Sequence, residues 1–201
     1  MKSGEFIGIV ALAIILLGVA TAIAGPSTKL GKGWNYLTSG NGASTSHQSM
    51  PPASGLSVMG GPSITAQKID TILTNAVSPA AGTGQDLYNL GVQYNIDPAF
   101  AAAVFKHESN YGKYGVAANS LSLGNLRCIP GAACVGGYAY FNSWQEGYTA
   151  FYKLISGPLY VGAGLTTPNQ IMARYAPSGD GNNPTQYASD VDATVAAWRQ
   201  S

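Results

Sequence analysis

Apolar positions along the 201-residue chain follow three different patterns. From Phe6 to Ala24 they form one run, apolar or small throughout, which follows Lys2 and ends in Ala22-Ile23-Ala24 before Gly25-Pro26. From Gly25 to Pro62 they thin out into Gly, Ser, Thr and Pro, as in Thr38-Ser39-Gly40-Asn41-Gly42 and Met50-Pro51-Pro52-Ala53-Ser54-Gly55. From Ser63 onward they recur at the three- and four-residue spacing of helices that bury one face.

The third pattern predicts six helices. One runs over Thr65 to Val77, with Ile69, Ile72, Leu73 and Ala76 on one side; the next carries Leu87, Leu90, Gly91 and Tyr94, with Thr83 as its expected cap. Asp97-Pro98 places a capping residue before a proline at the first helical position and opens a helix to about Ser109. Ser143-Trp144-Gln145-Glu146 has the capping-box pattern, Thr167-Pro168-Asn169-Gln170 repeats it, and Asn183-Pro184 opens the last helix toward Trp198. Between Asn110 and Asn142 no helical period survives, and the Gly- and Tyr-rich sequence predicts loops with a short hairpin. The expected fold is therefore mainly α, a helical body over residues 63–201 with one small irregular lobe.

The N-terminal run has two readings that sequence leaves open. A charged start, an apolar stretch and an Ala-x-Ala site describe a cleavable signal peptide, while the same length can span a bilayer as a helix. Lys2 and Glu5 before the run, with Lys29 and Lys32 after it, give the positive-inside rule almost nothing to separate. Residues 25–62 then read as a tether, of the composition that lets a domain reach a polymer at some distance from its anchor.

A net charge of +1 with only 9% charged residues argues against a nucleic-acid surface, which needs concentrated Lys and Arg. Polarity comes from hydroxyls and amides instead, a style that suits an extracytoplasmic protein. Against that background Glu108 stands out. Phe105, Val104 and Ala101 lie three, four and seven residues before it, so its carboxyl shares their apolar side at the negative end of the helix. Burial and the dipole both favour a protonated carboxyl, the state a general acid needs. Periodicity alone equally allows a helix-end glutamate turned to solvent.

The neighbouring residues bear on that choice. His107-Glu108-Ser109-Asn110-Tyr111-Gly112 resembles the Glu-Ser-x-aromatic-Gly signature that closes the catalytic helix of the bacterial glucosaminidases, glycoside hydrolase family 73 of the lysozyme-like superfamily. In the same order, Ser122-Leu123-Gly124-Asn125-Leu126, Phe141-Asn142-Ser143-Trp144-Gln145-Glu146-Gly147-Tyr148, and Tyr175-Ala176-Pro177-Ser178-Gly179-Asp180 with Tyr187 resemble later blocks of that family. The resemblance covers about Asp97 to Arg199. It implies a lysozyme-like domain that cleaves the β-1,4 bond between N-acetylglucosamine and N-acetylmuramic acid in peptidoglycan. By the same resemblance Glu108 is the proton donor, Tyr175 lines the catalytic cleft, and Asn125, with Ser122 beside it, lies near the sugar groove. Tyr111 and Tyr140, from the aromatic cluster Tyr111, Tyr114, Tyr138, Tyr140 and Phe141, are candidates to stack on sugar rings.

One departure affects mechanism. Some family members carry a second acid in the lobe after the catalytic helix, but Ser109 to Gln145 contains no Asp or Glu. A two-carboxylate scheme would have to use Asp180 or Glu146. Glu146 fits a capping box, and Asp180, between two glycines, fits a turn or a cleft residue. The leading scheme has one acid, with the substrate's N-acetyl oxygen or a water held by Tyr175 meeting the charge at the anomeric carbon.

Cys128 and Cys134, the two cysteines, flank a turn-like segment and are expected to form a disulfide outside the reducing cytoplasm. A metal site lacks ligands, because His47 sits in the tether and His107 on the helix; Tyr111 stands where a zinc-protease motif needs its second His. No His follows Cys134, and no nucleophile elbow, phosphate loop or dinucleotide fingerprint occurs. No cofactor is expected. The expected partners are peptidoglycan strands and, through the first 24 residues, a membrane, with the domain extracytoplasmic. A lytic transglycosylase, a virion-borne wall-opening enzyme and a noncatalytic glycan-binding module are the alternatives.

Overall fold

The computed structural model describes residues 55–201. The run Phe6–Ala24, most of the expected tether, and His47 lie outside the described residues. Among the described residues no helix is long and apolar enough to cross a membrane.

The described residues are mainly helical, and the six expected helices form at the expected places. They are α1 (Ala66–Asn75), α2 (Gly84–Tyr94), α3 (Pro98–Ser109), α5 (Trp144–Ser156), α6 (Pro168–Tyr175) and α7 (Pro184–Arg199), with a single turn, α4 (Ala117–Ser120), before the hairpin. Five of these starts rest on contacts within a few residues. Thr65 accepts from the Lys68 amide, Asp97 from Ala99, Ser143 from Glu146, Thr167 from Gln170 and Asn183 from Gln186. The two capping boxes close one residue early: Glu146 accepts from the Asn142 amide at 2.9 Å and Gln170 from the Thr166 amide at 3.0 Å. In both, the returning side chain holds the residue before the cap and fixes the entry of the chain.

Thr83 does not cap α2. Its hydroxyl donates to the Ala80 carbonyl at 2.7 Å and pairs with the Tyr148 hydroxyl at 2.8 Å. The cap comes from α1, where Asp70 Oδ1 accepts from the Gly82 and Gly84 amides at 2.7 and 3.2 Å. Gly84 makes that approach possible, since a Cβ there would stand 2.7 Å from the Ala66 carbonyl oxygen.

Helix α3 is the centre of the body, against α2 and α7, while α7 also packs on α6 and α2 on α1 and α5. Every residue from Pro98 to Phe105 is buried, so the expectation of one apolar face is corrected: as far as Phe105 the helix is apolar all round. Ala99, Ala101, Ala102 and Ala103 let its neighbours come close, and Phe105 fills the space between Tyr148 and Phe151. Glu108 sits on the last turn, where the rod leaves the core.

The folded part begins before Ser63. Val58 is 1% exposed; its amide donates to the Thr166 carbonyl and its own carbonyl accepts from the Asp97 amide, both at 2.8 Å. The tether predicted to extend to Pro62 is thus shorter at its C-terminal end, because Val58 finds partners far along the chain. Asp97 ties this strip to both ends of the body: besides capping α3 it accepts from the Ser63 amide and hydroxyl and from Arg199 Nη2. A buried carboxylate is tolerated there because its oxygens are all engaged.

The expected hairpin is present as β1 (Ala133–Val135) and β2 (Tyr138–Tyr140), antiparallel, with Cys134 opposite Ala139. Cys128 and Cys134 form the expected disulfide, tying β1 to the segment that precedes it. The hairpin is held to the body by main-chain bonds from Ala139 to Leu126 and from Phe141 to Ser120. Gly147 lets α5 lie against this junction, with a hypothetical Cβ only 2.0 Å from the Leu121 carbonyl oxygen.

Candidate active site

Helix α3 stops because its next residues enter left-handed backbone, with φ of 46° at Asn110, 57° at Tyr111 and 87° at Gly112. Ser109, buried, fastens the turn from both sides: its hydroxyl donates to the Leu123 carbonyl and accepts from the Gly112 amide, each at 2.8 Å. Gly112 is needed for closeness as well as for φ, since a Cβ would lie 2.9 Å from Leu123 Cδ2. The Ser-x-x-Gly part of the motif is thus a folding device. It pins the segment Ser122–Leu126 against the end of α3.

That pinning delivers Asn125 to Glu108. Asn125, itself at φ 47°, donates through Nδ2 to the Glu108 main-chain carbonyl at 3.1 Å, satisfying an acceptor that the helix end leaves open. Its Oδ1 is buried and has no hydrogen-bond partner. From the other side α7 supplies Tyr187, whose hydroxyl donates to Glu108 Oε1 at 2.7 Å. The Tyr187 ring lies flat on His107, with centroids 3.7 Å apart and planes 19° apart, and meets Tyr175 edge-on at 6.5 Å.

Glu108 Oε2 is buried without a partner. Part of Glu108 reaches the surface, but this oxygen does not. Burial pushes the carboxyl up to about 7, against the opposing pull of the Tyr187 hydrogen bond. Near neutral pH the group therefore exists in both forms, able to give a proton and to take one back. Burial, and then the nearby Glu108, hold the Tyr175 and Tyr187 phenols well above their ordinary range, so both remain neutral donors.

The other sequence candidates divide. Tyr175 is beside the site, but its hydroxyl is committed to the Gly124 carbonyl at 3.1 Å and its ring is buried, so it braces the Gly124–Asn125 backbone. The hydroxyl expected to hold a water donates here to the Gly124 carbonyl. Ser122 is 2% exposed and accepts from the Leu126 amide, a turn bond that leaves it no sugar to touch. Tyr111 is 4% exposed, with its ring in the hydrophobic core under the turn. Neither is available as a substrate contact. Tyr140 is half-buried and lines a groove of about 580 Å³ with Phe141, Gln145, Thr149, Ala150 and Leu154; the walls belong to the loop 129–132, the hairpin and α5 and do not include Glu108. Asp180 is exposed on the turn Ser178–Asp180, its amide donating to Pro177, and Glu146 is occupied by the Asn142 cap.

Two residues that complete the site were not singled out by sequence reasoning. Tyr187 ends the Tyr175 block, a signal that pointed to it without distinguishing it from a core aromatic. His107 carried only its failed zinc-motif spacing. No protein-family model matches the chain, and no curated protein matches it in sequence. The assignment of chemistry therefore stands on the residues themselves.

Proposed function

We propose that this protein is a peptidoglycan-cleaving glycosidase of lysozyme-like architecture, acting on the β-1,4 bond between N-acetylglucosamine and N-acetylmuramic acid with Glu108 as its one protein acid. The observation that carries the reading is the division of labour within one carboxyl: Oε1 is held by Tyr187, while Oε2 is enclosed and unengaged. A carboxylic proton on Oε2 has no acceptor inside the protein, and because this oxygen is enclosed, its transfer to a glycosidic oxygen requires the groups covering it to move aside as the glycan binds.

In the forward step that proton moves to the glycosidic oxygen, and the electron pair of the bond to the anomeric carbon leaves with it. The acetamido oxygen of the same N-acetylglucosamine closes onto the anomeric carbon and carries the positive charge. Glu108, now a carboxylate stabilised by the Tyr187 hydroxyl, takes a proton from a water as that water's oxygen adds to the anomeric carbon. The acetamido group is released and the acid restored, with the net addition of one water. The scheme asks for no second protein carboxylate, in keeping with a Glu108 carboxyl hydrogen-bonded to Tyr187 and no acidic group. Asn125 Oδ1, buried and unengaged like Oε2, becomes an acceptor for a hydroxyl or amide N–H of the sugar only in the same opening.

The single acid also supports a second reading, a lytic transglycosylase, in which the 6-hydroxyl of N-acetylmuramic acid replaces water. Mass spectrometry of purified peptidoglycan digested with the protein separates the two. A reducing N-acetylglucosamine end is expected; an anhydro-muramyl end supports the transglycosylase, and a reducing muramic end moves cleavage to the other bond. Glu108→Gln should abolish every product while keeping the fold. Products released by that variant at the normal rate would remove Glu108 from the mechanism.

A further inference from the structure

His107 takes no part in this chemistry, yet its imidazole is the flat surface on which Tyr187 rests. His107 and Glu108, adjacent in the last turn of α3, point in different directions, since successive side chains diverge by about 100° around a helix. Helix α7 crosses at this turn, so one tyrosine reaches both: its ring covers His107, and its hydroxyl lands on Glu108 Oε1. Tyr187 is thereby held by His107 against its face, by Tyr175 set perpendicular to its ring and by Glu108 at its hydroxyl. Remove the face contact and the ring gains freedom to tilt, carrying the hydroxyl away from the carboxyl.

We infer that His107 is a positioning residue for Glu108: by stacking on Tyr187 it keeps the phenol on Oε1 and so reserves Oε2 for the transferred proton. The inference rests on reading Glu108 as the acid and deepens it by one layer. It requires a flat ring, not a charge. The groups facing His107 are Tyr187 and Asp190 from α7, with Lys106 beside it on α3, around a cavity of about 400 Å³ that also involves Thr194. Burial lowers the imidazole's affinity for a proton and Asp190 opposes that, with burial the larger effect. The groups facing Glu108 are Tyr187 from α7 and Tyr175 from α6. The stack is thus a neutral one at the pH where Glu108 titrates.

The chain has three glutamates, Glu5, Glu108 and Glu146, so carboxyl-labelled glutamate in the full-length protein yields a carbon NMR titration simple enough to follow. Glu108→Gln identifies the Glu108 signal. Tyr187→Phe should raise the Glu108 midpoint by about one pH unit, the worth of one hydrogen bond to a charged group. His107→Ala should move it in the same direction by at least about half as much, because the phenol is no longer held in place. His107→Phe, which keeps a flat ring, should titrate like the wild type. His107→Leu, which fills the space without a flat surface, should follow His107→Ala and serves in its place if alanine impairs folding. On peptidoglycan, kcat should fall about tenfold in His107→Ala with KM unchanged, as expected when an acid is misplaced without loss of binding, and His107→Phe should restore it. A folded His107→Ala or His107→Leu variant with the wild-type Glu108 midpoint overturns the inference, as does a His107→Phe variant that behaves like alanine. The titration needs no turnover, so a wild type inactive on every cell wall would refute the peptidoglycan reading and leave this test standing.

Discussion

Glu108→Gln replaces a carboxyl whose ionisation the fold opposes, and its effect on stability follows from that opposition. The native carboxyl titrates at about 7 instead of its ordinary 4.5. Between those values the folded protein holds the proton and the unfolded chain does not, so stability falls as pH rises through this window. At about 1.4 kcal/mol per unit the whole loss is about 3 kcal/mol: absent below 4.5 and complete above 7. Glutamine has the shape of the protonated acid and still offers an oxygen to the Tyr187 hydroxyl, but cannot ionise. Its Nε2, enclosed where Oε2 was, adds an offset that does not vary with pH. Urea unfolding of both proteins from pH 4 to 8 should therefore show a stability difference that grows in the variant's favour by about 3 kcal/mol, with unchanged denaturant slope. Groups common to both proteins, including His107 and the raised Asp192, cancel in the difference. A difference that stays flat across the window would mean that Glu108 ionises freely and that its enclosure does not poise it as an acid.

Tyr187→Phe removes the bond that favours the carboxylate, so the alkaline limb of the pH–rate profile should move up by about one unit; an unmoved limb would detach Tyr187 from Glu108. Gly147→Ala puts a Cβ 2.0 Å from the Leu121 carbonyl oxygen, and should cost about 3 kcal/mol or more in chemical denaturation; a loss below about 1 kcal/mol would mean that α5 shifts easily at this junction. Cys128→Ser with Cys134→Ser frees a loop of six-residue separation and should lower stability by about 2 kcal/mol, whereas an unchanged midpoint would show that the hairpin opens independently of the body. Asp180→Asn should leave cleavage within about twofold of wild type, since the side chain stands in solvent; a loss of about a hundredfold would restore a two-carboxylate scheme.

What was legible in the sequence was what neighbours decide. Thr65, Asp97, Ser143, Thr167 and Asn183 each begin a helix through contacts made within three residues, so the helical body could be read locally. The hairpin and the Cys128–Cys134 bond likewise involve positions close in sequence. The start of the folded part was not legible, because Val58 is ordered by Asp97 and Thr166. Nor was the cap of α2, which is lent by Asp70 on another helix.

The site follows the same division. Glu108 was marked in advance by a carboxyl in an apolar helix and by the motif that follows it. Motif order, however, does not distinguish residues that build a site from residues that face a ligand. Ser122, Tyr111 and Tyr175 belong to the motif segments singled out in the sequence, yet their side chains are spent on a turn, the core and the Gly124 carbonyl. Tyr187 lies 79 residues from Glu108 and reaches it because α7 crosses α3 at its last turn. The sequence by itself determined where the helices start and which glutamate is exceptional, since caps and composition act locally. Which oxygen of Glu108 is held, which is free, and how strongly its proton is retained were decided only by tertiary structure, because burial and long-range hydrogen bonds arise when distant helices meet.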